Sequence, residues 1–254
     1  MDARDFTSFD GARLAWYDLG PADGRPVFLL HGLFSTATLN WIKFGHARRL
    51  ADAGCHVRLL DTRAHGASAS PTDAAAYPTG VMERDARAWI ESFGESEFDL
   101  AGFSLGARAS AILVAEGLRP RRLAICGMGL KGITNNRAGT RIPQFLEVIA
   151  NYGSYKPGSE DYITQQFLKT NKVDLTSARL FLESLADVDR GRLVSAMTMP
   201  TAVICGAEDH YVRDARRLAE AVPTANFVEI PGTHMSSVTK PPLGEALANV
   251  FSDE

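Results

Sequence analysis

Short apolar segments alternate with longer amphipathic segments along most of the chain. The first two, Asp5–Phe9 and Arg13–Tyr17, alternate apolar and polar residues around the turn signal Asp10-Gly11, which predicts a β-hairpin. The later short segments are largely apolar, as expected for strands that are covered on both faces. We predict such strands over Pro26–Leu30, His56–Leu60, Phe98–Gly102, Arg122–Cys126, Thr201–Cys205 and Asn226–Ile230.

The segments between these strands have the apolar spacing of amphipathic helices. We predict helices over Thr38–Ala53, Pro78–Phe93, Leu105–Gly117, Val212–Val222 and Pro242–Phe251. Strands that alternate with helices of about 10–15 residues indicate an α/β fold, in which a mostly parallel sheet carries helices on both faces.

The alternation of strands and helices stops between Met128 and Met199. About 70 residues there contain no clear strand, which is too long for a loop within a compact domain. This segment must therefore fold as a small layer of its own. Amphipathic helices are predicted over Pro143–Tyr152, Ser159–Thr170 and Leu175–Leu185. We expect a core made of residues 1–128 and 200–254, and a helical cap over residues 129–199 that covers a site.

The composition is that of an ordinary globular protein, with 45% hydrophobic and 22% charged residues and a formal net charge of −3. Basic residues are scattered, which argues against nucleic-acid binding. No apolar run approaches the roughly 20 residues that span a bilayer, and no signal peptide is evident. We therefore expect a protein of the cytoplasm, a monomer or homodimer that acts on a small molecule without a membrane partner.

The three cysteines, Cys55, Cys126 and Cys205, are far apart in the chain. Their odd number and the apolar runs around Cys126 and Cys205 indicate thiols in the core rather than a disulfide framework, which fits a reducing compartment. Zinc sites need clustered ligands, and the sequence contains no such cluster, so no metal site is expected.

The segment Gly102-Phe103-Ser104-Leu105-Gly106 lies where a predicted strand ends and a predicted helix begins. A serine on such a strained turn is lifted above the sheet, and the two glycines let the strand and helix approach closely. The helix N-terminus adds partial positive charge beside the hydroxyl, and the Leu105 N–H points to where an oxyanion would form. The alternative is an inert serine in a structural turn, but the position of Ser104 within the strand–helix series favours a nucleophile.

Five motifs, in the same order along the chain, resemble those of the α/β-hydrolase superfamily. They are His31-Gly32, Asp61–Ser68, Gly102–Gly106, Gly206–Asp209 and Gly232-Thr233-His234. The second is similar to the D-x-R-G-H-G-x-S loop of the family, with Ala64 in place of the usual glycine, and we interpret it as structural. The resemblance implies an eight-stranded sheet, a helical cap after the sixth strand, and no cofactor.

In this superfamily the nucleophile, the acid and the histidine follow one another in that order. Only His210 and His234 follow Ser104. His234 comes just after the last predicted strand, where the base is expected, whereas His210 lies beside the expected acid. We therefore predict His234 as the general base.

The acid is expected after the strand Thr201–Cys205, within Gly206-Ala207-Glu208-Asp209. Asp209 is the predicted residue, which would accept a hydrogen bond from the base and fix its tautomer. Glu208 is a rival for this role. An aspartate here could also cap the helix Val212–Val222.

The loop after the strand Pro26–Leu30 supplies the second oxyanion donor in this superfamily, which assigns the backbone N–H of Leu33 alongside that of Leu105. His31 precedes the serine in the chain, so we predict that it fixes the turn rather than acts as a base. Phe34 and Phe103 flank the site in sequence and are candidates for substrate contact.

Aromatic residues are frequent in the predicted cap. They either line an apolar pocket for an acyl or aromatic group or pack the cap on the core, and packing is the commoner use of such residues. The residues concerned are Phe145, Tyr152, Tyr155, Tyr162, Phe167 and Phe181.

A serine at position 104 argues against the haloalkane dehalogenases and epoxide hydrolases of this superfamily, which carry aspartate there. We expect hydrolysis of a carboxylic ester, thioester or lactone through an acyl-enzyme on Ser104. Two alternatives remain open at this stage. One is a carbon–carbon bond hydrolase or lyase with the same triad, and the other is a small-molecule receptor that keeps an intact triad.

Overall fold

One mixed sheet forms the centre of the part of the chain that the computed structural model describes, residues 2–134, 140–186 and 190–252. Its strands are β1 (Arg4–Thr7), β2 (Arg13–Leu19), β3 (Arg25–Leu30), β4 (Cys55–Leu60), β5 (Asp99–Phe103), β6 (Arg122–Cys126), β7 (Thr201–Gly206) and β8 (Ala225–Ile230). They lie in the order β1-β2-β4-β3-β5-β6-β7-β8. β1 pairs with β2, and β2 with β4, in antiparallel fashion, and the remaining neighbours are parallel. The prediction of an eight-stranded, mostly parallel sheet is confirmed.

Helices connect most of the strands. The α-helices of the described residues are α1 (His46–Asp52), α2 (Val81–Glu91), α3 (Leu105–Ala115), α4 (Leu130–Thr134), α5 (Ile142–Ala150), α6 (Glu160–Thr170), α7 (Leu175–Ser184), α8 (Arg190–Ser195), α9 (Val212–Ala221), α10 (His234–Ser237) and α11 (Pro242–Phe251). Within the same residues, no helix is both long enough and apolar enough to cross a bilayer.

Helices cover both faces of the sheet, and successive side chains of a strand point to opposite faces. Neighbouring residues of one strand therefore pack in different clusters. Leu29 of β3 shares one buried cluster with Leu50 of α1. Phe28, the preceding residue, packs edge-to-face on Trp89 of α2, with 5.2 Å between the ring centroids. Full burial of such a side chain contributes about 1.5–3 kcal/mol. The largely apolar strands seen in the sequence are therefore the strands buried between two helical layers.

The predicted helix Thr38–Ala53 is wrong as a single element. The structure has a π-helical turn over Thr38–Ile42, and α1 begins only at His46. Gly45 separates them with a φ of +83°, a left-handed conformation that a continuous helix does not contain. Apolar residues occur at helical spacing on both sides of Gly45. Trp41 before it and Leu50 after it are both fully buried. The pattern alone could not show the interruption.

The loop Asp61–Ser68 is built around a buried carboxylate. Asp61 accepts hydrogen bonds from the Ala37 and Ala67 N–H groups at 2.7 and 2.9 Å. Ala64 stands where the D-x-R-G-H-G-x-S loop of the α/β-hydrolase superfamily has glycine, and its φ is +65°. These contacts support the interpretation of the loop as structural, and they explain why glycine suits this position.

Helices α4 to α8 lie between β6 and β7 in the chain. The three helices predicted there correspond to α5, α6 and α7, whereas α4 and α8, of five and six residues, had no prediction. All three cysteines are buried, and none forms a disulfide within the described residues. The division of the chain into core and cap remains a prediction.

Candidate active site

Ser104 occupies a sharp turn between β5, which ends at Phe103, and α3, which begins at Leu105. Its φ of +52° and ψ of −113° lie in a sparsely populated region, which costs of order 1–3 kcal/mol. The Ser104 N–H donates to the Cys126 carbonyl at 2.8 Å, so β6 holds the turn from the side. This is the strained strand-to-helix turn that the sequence predicts.

Gly102 and Gly106 allow the strand and helix to meet around this turn. A methyl group on Gly102 would lie 2.2 Å from the Gly106 carbonyl carbon. One on Gly106 would lie 2.3 Å from the Leu30 carbonyl oxygen of β3. Neither position accommodates a side chain, since both neighbours are backbone.

Ser104, His234 and Asp209 form a continuous hydrogen-bonded series. The Ser104 Oγ lies 3.1 Å from His234 Nε2, and His234 Nδ1 lies 2.8 Å from Asp209 Oδ2. They follow β5, β8 and β7 respectively, at the carboxyl edge of the sheet. If Nδ1 carries the ring proton, it donates to the carboxylate and leaves Nε2 free to accept a proton from the hydroxyl.

The loops that carry Asp209 and His234 are held against each other. A methyl group on Gly206, at the end of β7, would lie 2.2 Å from the Gly232 carbonyl oxygen, so the two loops touch through their backbones. His234 begins the short helix α10, and Thr233 and Ser236 form a capping box there. These contacts fix the backbone positions of the carboxylate and the imidazole.

Asp209 is 2% exposed, and its Oδ1 accepts a hydrogen bond from the Tyr211 N–H at 2.9 Å. Burial on its own raises the pKa of Asp209, but the hydrogen bonds from His234 and the Tyr211 N–H and the nearby charges of His234 and His210 together outweigh it, so the pKa lies below its ordinary value of 3.8. Asp209 makes no side-chain cap for α9. Glu208, the rival acid, is exposed. The geometry therefore places Asp209, and not Glu208, against His234.

The predicted oxyanion donors, the N–H groups of Leu33 and Leu105, belong to the residue after Gly32 and the residue after Ser104. A methyl group on Gly32 would lie 3.4 Å from the Ser104 Cβ, which places the loop after β3 directly against the serine. Among the described residues, neither the Leu33 N–H nor the Leu105 N–H donates a hydrogen bond. Two such backbone donors beside one hydroxyl can hold the negative oxygen of a tetrahedral intermediate.

The His31 side chain connects the Gly32 turn to Thr62. Its Nδ1 lies 2.8 Å from the Gly32 carbonyl oxygen, and its Nε2 accepts a hydrogen bond from the Thr62 N–H at 3.1 Å. Complete burial lowers the pKa of His31 to about 4. A neutral imidazole with both nitrogens engaged fits the predicted role of fixing the turn.

A cavity of about 900 Å³ reaches Ser104 from the surface. Phe103, Phe145 and Phe167 line it. Phe34 is not on its wall, because Phe34 is 2% exposed and stacks on His65 with ring centroids 5.6 Å apart. The structure thus places one of the two predicted substrate contacts on the cavity and buries the other. Among the aromatic residues of the predicted cap, Phe181 is fully buried, so its role is packing.

Sequence reasoning missed several polar residues on the cavity wall. His210 lines it beside His234, with the two ring centroids 5.5 Å apart. Asp214 accepts a hydrogen bond from the Lys131 N–H at 2.6 Å and also lines the cavity. No single motif marks these residues, because the loop and helices that carry them meet only in the fold.

Taken together, the geometry is that of the nucleophile-elbow class of α/β proteins, in which serine, acid and histidine follow one another along the chain, here after β5, β7 and β8 of one sheet. Within the described residues, no group of three His, Cys, Asp or Glu side chains could hold a metal ion. Residues 27–242 match the model of the alpha/beta hydrolase family. The chain belongs to the α/β-hydrolase family.

Solved structures of this fold resemble the chain over nearly its whole length. A hydrolase from Pseudomonas aeruginosa PA01 gives a TM-score of 0.77 at 20% identity, covering 98% of both chains. An esterase from Rhodococcus sp. ECU1013 gives 0.73 at 21%, covering 100% of this chain and 99% of the other. An enol-lactonase from Burkholderia xenovorans LB400 gives 0.73 at 18%, covering 98% and 100%. At these identities the likeness concerns the fold.

One curated relative is similar in sequence as well. The dihydrolipoyllysine-residue acetyltransferase component of an acetoin cleaving system from Pseudomonas putida is 27% identical over 237 residues. The match covers 87% of this chain and 61% of the relative. The chain therefore spans about three-fifths of the length of the curated relative it matches.

Proposed function

We propose that the protein is a serine hydrolase that cleaves a carboxylic ester, thioester or lactone of a small molecule. The observation that carries the proposal is the hydrogen-bonded series from Asp209 through His234 to Ser104. The names of the esterase and enol-lactonase neighbours agree with cleavage of an ester or lactone rather than of a carbon–carbon bond.

In the first half of the reaction, the Ser104 Oγ attacks the substrate carbonyl carbon and its proton passes to His234 Nε2. The Leu33 and Leu105 N–H groups hold the resulting oxyanion, and each such donor is worth about 3–4 kcal/mol in the transition state. The intermediate collapses to an acyl-enzyme, and the leaving alcohol or thiol takes the proton from His234. Asp209 stabilises the imidazolium between these two steps.

In the second half, His234 removes a proton from water while the water oxygen attacks the acyl carbonyl. The acid product leaves, and Ser104 recovers its proton from His234. The wall formed by Phe103, Phe145 and Phe167 suits an apolar acyl or aromatic group. Phe145 belongs to α5 and Phe167 to α6. The proposed cap of residues 129–199 would therefore form part of the substrate pocket.

The test is the substitution Ser104→Ala, assayed on p-nitrophenyl butyrate. We expect kcat to fall by about 10³-fold or more, because no other described hydroxyl lies within hydrogen-bond distance of His234 Nε2. The matched control is Ser35→Ala, which removes a second serine hydroxyl from the same cavity. Full turnover by a folded Ser104→Ala variant would overturn the proposal.

A further inference from the structure

Basic side chains are concentrated on the wall of the cavity that reaches Ser104. The chain as a whole carries a formal net charge of −3. Among the described residues that line the cavity, however, five are lysine or arginine and only one, Asp214, is a carboxylate. Three of the basic residues, Lys131, Arg213 and Arg217, come from the facing helices α4 and α9, and we call them the mouth cluster.

The mouth cluster lies at the opening of the cavity, because its three residues line the cavity and are also exposed. Asp214 ties the two helices together by accepting the Lys131 N–H at 2.6 Å. Arg213 and Arg217 are four residues apart, so they project from the same side of α9. With the charge of Asp214 included, the group is still cationic.

Ion pairs hold neighbouring arginines in place, but not those of the mouth cluster. Arg216, on the same helix, forms an ion pair with Glu229 at 2.6 Å, and Arg141 of the cavity wall pairs with Glu160 at 3.0 Å. Within the described part of the chain, neither Arg213 nor Arg217 has such a partner. Two like charges at this helical spacing destabilise a helix. A bound anion would turn that cost into a favourable interaction.

We propose that the substrate carries an anionic group, a phosphate or a carboxylate, on the portion that stays at the mouth while the scissile carbonyl reaches Ser104. This inference rests on the proposed function. Arg213 and Arg217 bind the anion through paired N–H donors, for which the planar guanidinium is suited, and Lys131 adds a point charge. The apolar wall beyond them holds the acyl portion.

A matched pair of thioesters tests the phosphate form of this anion. Butyryl-coenzyme A and S-butyryl-N-acetylcysteamine share the acyl group and the thioester bond, and they differ in the phosphate-bearing portion. For the wild-type protein we expect kcat/KM to be higher for the coenzyme A thioester by about tenfold or more, the effect of a charge-assisted hydrogen bond. In the double variant Arg213→Gln/Arg217→Gln, this ratio should fall towards one.

A second pair tests the carboxylate form. 4-(Butyryloxy)phenylacetate and its N-methylamide have similar leaving groups and differ in charge. A preference of the wild type for the charged member of this pair alone identifies a carboxylate, and a preference in the thioester pair alone identifies a phosphate. Raising the salt from about 50 to about 500 mM should weaken either preference, because these side chains are exposed to solvent.

The control variant is Arg216→Gln, which removes the same charge from the same helix at a residue that does not line the cavity and pairs with Glu229 instead. In Arg216→Gln, the ratio of kcat/KM between the charged and the neutral member of each substrate pair should equal that of the wild type. The inference is overturned if the wild type prefers neither charged substrate, or if a preference survives in the double variant or is lost equally in Arg216→Gln.

Binding in the absence of turnover separates this inference from the proposed function. Isothermal titration of Ser104→Ala with butyryl-coenzyme A and with 4-(butyryloxy)phenylacetate should give a Kd for the preferred anion that is about tenfold lower than in the same protein with Arg213→Gln/Arg217→Gln. Unchanged binding of both compounds overturns the anion site. Turnover of either neutral substrate that persists in Ser104→Ala overturns the proposed function instead.

Discussion

At the scale of single residues, two imidazoles approach the carboxylate of Asp209. His234 Nδ1 lies 2.8 Å from Oδ2, and His210 Nδ1 lies 3.4 Å from Oδ1. Only His234 also contacts the Ser104 hydroxyl among the described residues. His210 has a side chain that is 54% exposed and stands at the cavity wall. The two histidines therefore form a natural comparison for the role of general base.

We predict that His234→Ala lowers kcat on p-nitrophenyl butyrate by about 10²–10⁴-fold, because it removes the proton acceptor of Ser104. His210→Ala should change kcat much less, since this imidazole does not reach the hydroxyl. Steady-state kinetics on both purified variants check this, with circular dichroism to confirm folding. Equal losses in the two variants would contradict the assignment of His234.

The surroundings of Phe34 were harder to predict than the proximity of Ser104, His234 and Asp209. Phe34 follows Gly32 closely in sequence, which suggested contact with substrate, but its φ is +52° and its ring packs on His65 and Phe145. Adjacency along the chain says nothing about side-chain direction at a turn. The triad positions, by contrast, follow from the ends of strands, which apolar runs mark well.

At the scale of elements, the aromatic side chains of helices α5, α6 and α7 lie in different surroundings, some at the cavity and some in the core. Phe167 of α6 is half-buried and lines the cavity, whereas Phe181 of α7 is fully buried and packs edge-to-face on His65 at 4.9 Å. Truncating the first should enlarge the cavity, and truncating the second should weaken the core.

We predict that Phe167→Ala shifts the preferred acyl chain of p-nitrophenyl esters to greater length with little loss of stability. Phe181→Ala should leave the chain-length preference in place and lower the free energy of unfolding by about 3–5 kcal/mol. Kinetics over a series of chain lengths and urea unfolding check both. An unchanged chain-length profile for Phe167→Ala would show that this part of the wall does not contact the acyl group.

The sequence predicted long, regular elements better than short or broken ones. Most strands were marked by short apolar runs, and α2, α3, α5, α6, α7, α9 and α11 by helical periodicity, and their predicted positions agree with the structure to within a few residues. Helices α4 and α8 are too short to show a period of 3.6 residues. The mouth cluster depends on the contact between α4 and α9, which are far apart in the chain and carry no shared motif.

At the scale of the whole molecule, buried histidines couple stability to pH. Burial and the nearby ring of His31 lower the pKa of His65 from 6.5 to about 3. Between these two values the unfolded chain binds a proton that the folded protein excludes. The stability contributed by a neutral His65 is therefore present above pH 6.5 and is lost as the pH falls towards 3.

We predict that the free energy of unfolding falls less from pH 7.5 to pH 5 in His65→Asn than in the wild type, by about 2 kcal/mol. The comparison between proteins isolates this residue, because buried carboxylates such as Glu83, whose pKa is raised by burial, act in the opposite direction. Urea unfolding at both pH values measures the difference. Identical pH dependence in the two proteins would show that His65 is not held neutral.

Covalent labelling tests most directly whether the fold makes the Ser104 hydroxyl nucleophilic. A fluorophosphonate probe should add one label to the native protein, and tandem mass spectrometry of the tryptic peptide of residues 88–108 should place it on Ser104 rather than on Ser92 or Ser96. Heat-denatured protein and Ser104→Ala should remain unlabelled. Absence of label from Ser104 in the folded native protein, or equal labelling of Ser104→Ala, would contradict the account.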